Sequence, residues 1–167
     1  MNRLLMLLLF VPIFSYSQPQ MPLKDGKVFY EEIDTLPNSL KADLYNRSRI
    51  WFVNTFNSAK AVLQMDDKEA GIVMGKGATG LDIGNFISGT IKSYINYTIN
   101  ITVKDNKCRM QVFDIYVSDL NNNSYTPEYC LKYPKMNKKK LERIDNSVKD
   151  LIASYKAAVS KKSEDNF

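Results

Sequence analysis

Between Ser88 and Val103 apolar and polar positions alternate with a period of two. Ile91, Ile95, Ile99, Ile101 and Val103 share one parity with Ser93 and Tyr97. Thr90, Lys92, Tyr94, Asn96, Thr98, Asn100 and Thr102 share the other. Alternation in β-branched and aromatic residues predicts a long antiparallel strand with one face on a core and one towards water. A parallel strand buried on both faces would be apolar throughout. The rest of the chain must therefore cover one side of a sheet.

The flanking patterns supply that cover. Lys27–Asp34 alternates as a first strand. Asn38 or Ser39 offers a capping oxygen for a helix over 40–56, where Leu40, Leu44, Ser48, Trp51, Phe52, Thr55 and Phe56 recur at helical spacing. Trp51 on that stripe reads as core. Ala59–Met65 and Glu69–Met74 read as a hairpin around a turn at Asp66–Lys68. Lys104–Lys107 is a turn between the long strand and a last strand over Cys108–Val117. Near Phe113 both parities of that last strand turn apolar, which fits a bulge or a strand covered on both sides. Residues 118–134 read as a crossing loop. Leu141, Ile144, Val148, Leu151, Ile152, Tyr155, Ala158 and Val159 place one apolar face on a closing helix over 138–160. The order strand, helix, four strands, helix is that of an α+β domain: a single antiparallel sheet with two helices packed on one face. The domain spans 27–162, after an exposed leader at 18–26 and before a frayed tail at 163–167.

Composition adds a compartment. Residues 1–17 have a basic start at Arg3, an uncharged run of 11 residues from Leu4 to Phe14, and Ser15 and Ser17 before Gln18. These are the parts of an export signal cut near Ser17–Gln18. The run is too short to span a bilayer, which takes about 20 apolar residues, and no later stretch is long and apolar enough. The formal charge is +5, and the excess lies in Lys132–Lys162, with ten Lys or Arg against Glu142, Asp145 and Asp150. This reads as a solvated helix face rather than a nucleic-acid patch. Cys108 and Cys130 are the only cysteines. In an oxidising compartment they are a disulfide candidate, worth about 3 kcal/mol for a loop of this size. Two buried free thiols are the alternative.

Candidate chemistry is sparse. There is no histidine, so Ser-His-Asp, Cys-His and His-containing zinc sites are excluded. Gly75-Lys76-Gly77-Ala78-Thr79-Gly80 fits the letters G-x-G-x-x-G but lacks the following helix of a dinucleotide site, and reads as a flexible connection. Glu31 and Glu32 are neighbours on a strand and face opposite ways. Asp66, Asp67 and Glu69 read as a solvated turn, since a calcium site needs six or more oxygens. No cofactor or metal is implied.

The chain resembles a family of exported bacterial domains of unknown function with a fold like one repeat of the TATA-box-binding protein. The resemblance rests on the export signal, Gly26-Lys27-Val28-Phe29-Tyr30, Trp51-Phe52-Val53, Ile72-Val73-Met74-Gly75-Lys76-Gly77, the long strand pair and the closing helix. It implies a curved sheet with both helices on its convex side, and no catalytic residues. It does not imply DNA binding, because fold does not transfer function. The expectation is a non-enzymatic binding or interaction module of the cell envelope, periplasmic or secreted, with an unknown protein or glycan as partner and no nucleic acid. Its contacts would be Lys92, Tyr94, Asn96 and Asn100 on the open face. Two alternatives are a structural protein that self-associates weakly through its sheet edges and a carboxylate-dependent hydrolase.

Overall fold

A computed structural model describes residues 21–56, 63–86, 89–121 and 123–161, so the segments expected to be an export signal and a tail lie outside the described residues. The elements are β1 (Leu23–Lys24), β2 (Lys27–Val28), β3 (Tyr30–Thr35), α1 (Lys41–Thr55), β4 (Leu63–Asp67), β5 (Ile72–Phe86), β6 (Gly89–Lys104), β7 (Lys107–Asp119), β8 (Ser124–Tyr125), α2 (Pro127–Leu131) and α3 (Pro134–Ser160). The main sheet is antiparallel with order β3-β7-β6-β5-β4, and β8 pairs with the end of β7.

The long strand sits at the centre, and its parity decides the two faces. Ile95, Tyr97, Ile99, Ile101 and Val103 are buried. Their neighbours Cys108, Met110 and Val112 on β7 and Val73 on β5 are buried with them. Leu44, Trp51 and Phe52 of α1 and Leu141, Ile144, Val148, Tyr155 and Val159 of α3 close over this side. Trp51 packs edge-on against Tyr155 with ring centroids 5.1 Å apart, which joins the helices. Trp51 is core, as its place on the apolar stripe predicts. Glu31 and Glu32 diverge as a strand requires: Glu31 accepts from Gln111 on one face, and Glu32 pairs with Lys156 of α3 on the other.

Four expectations are revised. The glycine-rich segment is not a connection. Gly75–Gly80 lies within β5, paired residue by residue with Ile99–Tyr94 of β6. Glycine is needed there for clearance: a Cβ on Gly77 would stand 2.7 Å from the rings of Phe56 and Tyr97. The turn before β5 falls at 68–71, with Asp66 and Asp67 still on β4. Gly71 has φ +71°, and a Cβ on it would meet Val103 O at 2.7 Å.

The start of α1 carries no capping oxygen from Asn38 or Ser39. Leu40 is the N-cap and is exposed. The β6–β7 turn does the capping instead: Asp105 Oδ1 accepts from Lys41 N at 2.8 Å and Asn106 Oδ1 from Ser39 N at 3.1 Å. The turn, more than 60 residues away, thus satisfies the orphan donor of the first helical residue, Lys41, and fixes the chain just before the helix at Ser39.

Part of the presumed leader and crossing loop is also ordered. Leu23–Val28 forms a small hairpin, and Met21 is buried. Thr126 caps α2, whose Glu128 carboxylate accepts from Val28 N at 2.7 Å. Burial alone would raise the Glu128 carboxyl, but that backbone donor helps hold it below its usual range.

Finally, Cys108 and Cys130 are both free and buried. Cys108 is the second residue of β7, opposite Asp34. Cys130 lies on α2, directly after β8, which pairs with Val117 and Ser118 at the far end of β7. Along a strand that separation is about 20 to 30 Å, against less than about 7 Å between the Cα atoms of a bridge. Burial pushes both thiols up, away from the reactive thiolate.

Candidate binding face

The opposite side of the sheet carries neither helix. Its residues follow from the register: Tyr94, Asn96, Thr98, Asn100 and Thr102 of β6 alternate with the buried set. Gly80, Ala78, Lys76, Met74 and Ile72 of β5 stand opposite them in that order. From β7 come Ser118, Tyr116, Phe113, Gln111 and Arg109.

One irregularity shapes the middle of this face. Asn96 pairs with Tyr116 and Thr98 with Phe113, so Tyr97 alone opposes Asp114 and Ile115. This is a β-bulge, with Asp114 in the left-handed region at φ 52°. The bulge moves the buried parity of β7 from Cys108, Met110 and Val112 to Ile115 and Val117. That shift is the physical content of the broken alternation near Phe113. It also leaves the exposed Asp114 and Tyr116 beside Asn96 and Thr98. Together with Lys76 and Ala78 they line a shallow cleft of about 340 Å³.

The cleft mixes ring, amide, carboxylate and amine groups. Tyr94 is 39% exposed and Tyr116 44%. Asn96 Nδ2 donates to Ser118 Oγ at 2.9 Å and to the Tyr94 carbonyl at 3.3 Å, which holds the amide in place. Thr98 is buried beneath, 3.5 Å from an Asp114 oxygen. Further along, Asn100 Nδ2 donates to Gln111 Oε1 at 3.0 Å, and Gln111 Nε2 donates to Glu31 Oε2 at 2.6 Å. This ladder crosses three strands. Asn100 Oδ1 is buried without a hydrogen-bond partner.

Of the four expected contacts, Asn96 lines the cleft, and Tyr94 is exposed on the same face two residues along β6, outside the cleft lining. Asn100 is on the same face but belongs to the amide ladder. Lys92 pairs in register with Asp82, and its side chain lies outside the described residues. Lys76, Asp114 and Tyr116 were missed. Lys76 was hidden by reading the glycine-rich stretch as a connection, and the other two by the unplaced bulge.

The acidic group at 66–69 does not converge. Asp66 accepts from Tyr45 Oη, and pairs with Arg49 at 2.8 Å. Asp67 accepts from Ala70 N at 2.8 Å. Among the described residues no helix is long and apolar enough to cross a membrane.

A main antiparallel sheet with its two long helices on one face, and an opposite face left bare among the described residues, makes this an α+β domain. The chain belongs to the domain of unknown function (DUF4468) family with TBP-like fold, whose profile matches residues 29–118. It is similar to the crystal structure of a DUF4468 family protein from Bacteroides ovatus, with TM-score 0.74 and 17% identity over 87% of this chain and 94% of that one. It is also similar to a TBP-like protein from Parabacteroides distasonis, with TM-score 0.69 and 21% identity over 85% of this chain and 98% of that one. At these identities the likeness is one of fold. No curated protein matches the chain.

Proposed function

We propose that this chain is a non-enzymatic binding module of the cell envelope that captures a protein or glycan ligand on its open sheet face. The observation that carries the reading is the bulge cleft, where exposed Tyr116 stands with the fixed Asn96 amide, Lys76 and Asp114, while Tyr94 is exposed further along the same face. Half-exposed aromatic rings beside a few fixed polar groups are what binding surfaces use for affinity and orientation. The export-type pattern in residues 1–17 supports the envelope as the setting.

The test is capture from an envelope extract by three immobilised chains: wild type, a Tyr94→Ala/Asn96→Ala/Tyr116→Ala variant, and a Lys135→Ala/Lys139→Ala variant on exposed α3 positions. Wild type and the helix variant should retain the same ligand, and the face variant should lose it. Retention by the face variant, or loss by the helix variant alone, would move the site off this face.

A further inference from the structure

Lys104 and Lys107 form the last register pair of the β6–β7 hairpin, and Arg109 lies two residues further along β7, opposite Thr102. By the period of two, all three cations leave on the open face. With Thr102 and Ile33 they line a notch of about 190 Å³. Like charges placed directly opposite on neighbouring strands destabilise a sheet.

The acids around the notch are engaged elsewhere. Asp105, in the turn between the lysines, accepts from Lys41 N. Glu31 accepts from Gln111, and Asp67 of β4 from Ala70 N. Glu32 and Asp34 pair with Lys156 of α3 on the covered side. Among the described residues, the ion pairs use Arg49, Lys138, Lys149 and Lys156, and no side-chain cation of the notch takes part in one or in a side-chain hydrogen bond.

We infer that the notch is an anion subsite that takes a phosphate, sulfate or carboxylate group of a ligand. The half-buried Arg109 supplies a planar fork that matches such an oxyanion with two parallel hydrogen bonds. Lys104 and Lys107 act as two point charges, and Thr102 offers a hydroxyl. Ile33, 53% exposed, forms an apolar wall beside them, which favours an oxyanion carried on an organic group over a bare ion. The notch lies about 20 Å along β6 from the bulge cleft. The site stands on its own residues, and rests on the open-face reading only in belonging to the same ligand.

The experiment is a low-salt titration of the 15N-labelled chain with inorganic phosphate, and separately with vesicles containing phosphatidic acid, read by amide shifts. Free phosphate should move the amides of Thr102, Lys107 and Arg109 in a saturable way. A response to vesicles alone assigns the same subsite to a lipid headgroup. Lys107→Glu places a carboxylate opposite Lys104. It should weaken binding of the probe at least tenfold while raising the unfolding temperature. Arg109→Gln should weaken binding by a similar factor. Lys139→Glu, the same charge change on α3, should leave binding unchanged, and so should the Tyr94→Ala/Asn96→Ala/Tyr116→Ala variant. The inference is overturned if neither probe shifts these amides, or if Lys139→Glu costs as much binding as Lys107→Glu.

Discussion

Gly77 stands opposite Tyr97 in the β5–β6 register, and a single added carbon on it would meet the Tyr97 ring at 2.7 Å. The Phe56 ring, at the end of α1, closes the same space from the helix side. Gly77 is thus a point where the layers close on the sheet without room for a side chain. Gly77→Ala should cost about 1 to 3 kcal/mol through overpacking. Urea unfolding measures this, with a fall in the midpoint at unchanged slope.

The bulge at Asp114 sets two residues of β7 against Tyr97 alone. Deleting Asp114 removes the extra residue and leaves Ile115 alone opposite Tyr97, so Ile115 and Val117 stay on the buried face and Tyr116 on the open face of a regular ladder. The deleted chain should therefore keep cooperative unfolding in near-ultraviolet circular dichroism, and its loss would show that the core needs the bulge itself. Asp114→Gly keeps the residue count and suits the left-handed backbone. It should stay within about 1 kcal/mol of wild type.

Asp105 caps α1 from a distant turn. Asp105→Ala should cost about 1 kcal/mol and raise amide exchange in the first turn of α1. Asp105→Asn keeps an acceptor and should recover most of that loss. Equal losses for both variants would mean that charge, not the cap, matters.

Asp66 ties β4 to α1. Burial alone would raise its carboxyl, but the hydrogen bonds from Tyr45 and Arg49 and the Arg49 charge outweigh that and hold it below the ordinary carboxylate range. A depressed pKa in the folded state contributes stability above the unfolded value of about 4, and that contribution is lost as pH falls through the folded value. Wild type should therefore lose more stability than Asp66→Asn between about pH 5 and pH 2. The comparison needs only thermal unfolding at several pH values. Because Arg49 is largely exposed, the gap should be modest and shrink in salt.

The sheet's polarity was legible because Ile95, Ile99, Ile101 and Val103 alternate strictly with polar positions, and all four are buried while only Thr98 of the polar set from Tyr94 to Thr102 is. Both long helices were legible for the same reason, at a period of 3.6. What escaped depends on contacts far apart in sequence. The glycines of β5 look like a loop until Phe56 and Tyr97 are placed against Gly77. The cap of α1 comes from Asp105 and Asn106, which no local motif around Asn38 could reveal. The cleft depends on one extra residue in β7, whose trace in the sequence was a stumble in alternation without a position. For the thiols the sequence left a bridge and two buried free groups both open, and the length of β7 decides for the free thiols.

The most direct measurement is the affinity of the captured envelope ligand for the Tyr94→Ala/Tyr116→Ala chain, taken together with that chain's unfolding free energy. If the open face is the binding surface, affinity should fall at least about tenfold, as loss of aromatic anchors does. Stability should meanwhile stay within about 1 kcal/mol, since both rings are substantially exposed. Unchanged affinity, or a large loss of stability that accounts for the weaker binding, would contradict it.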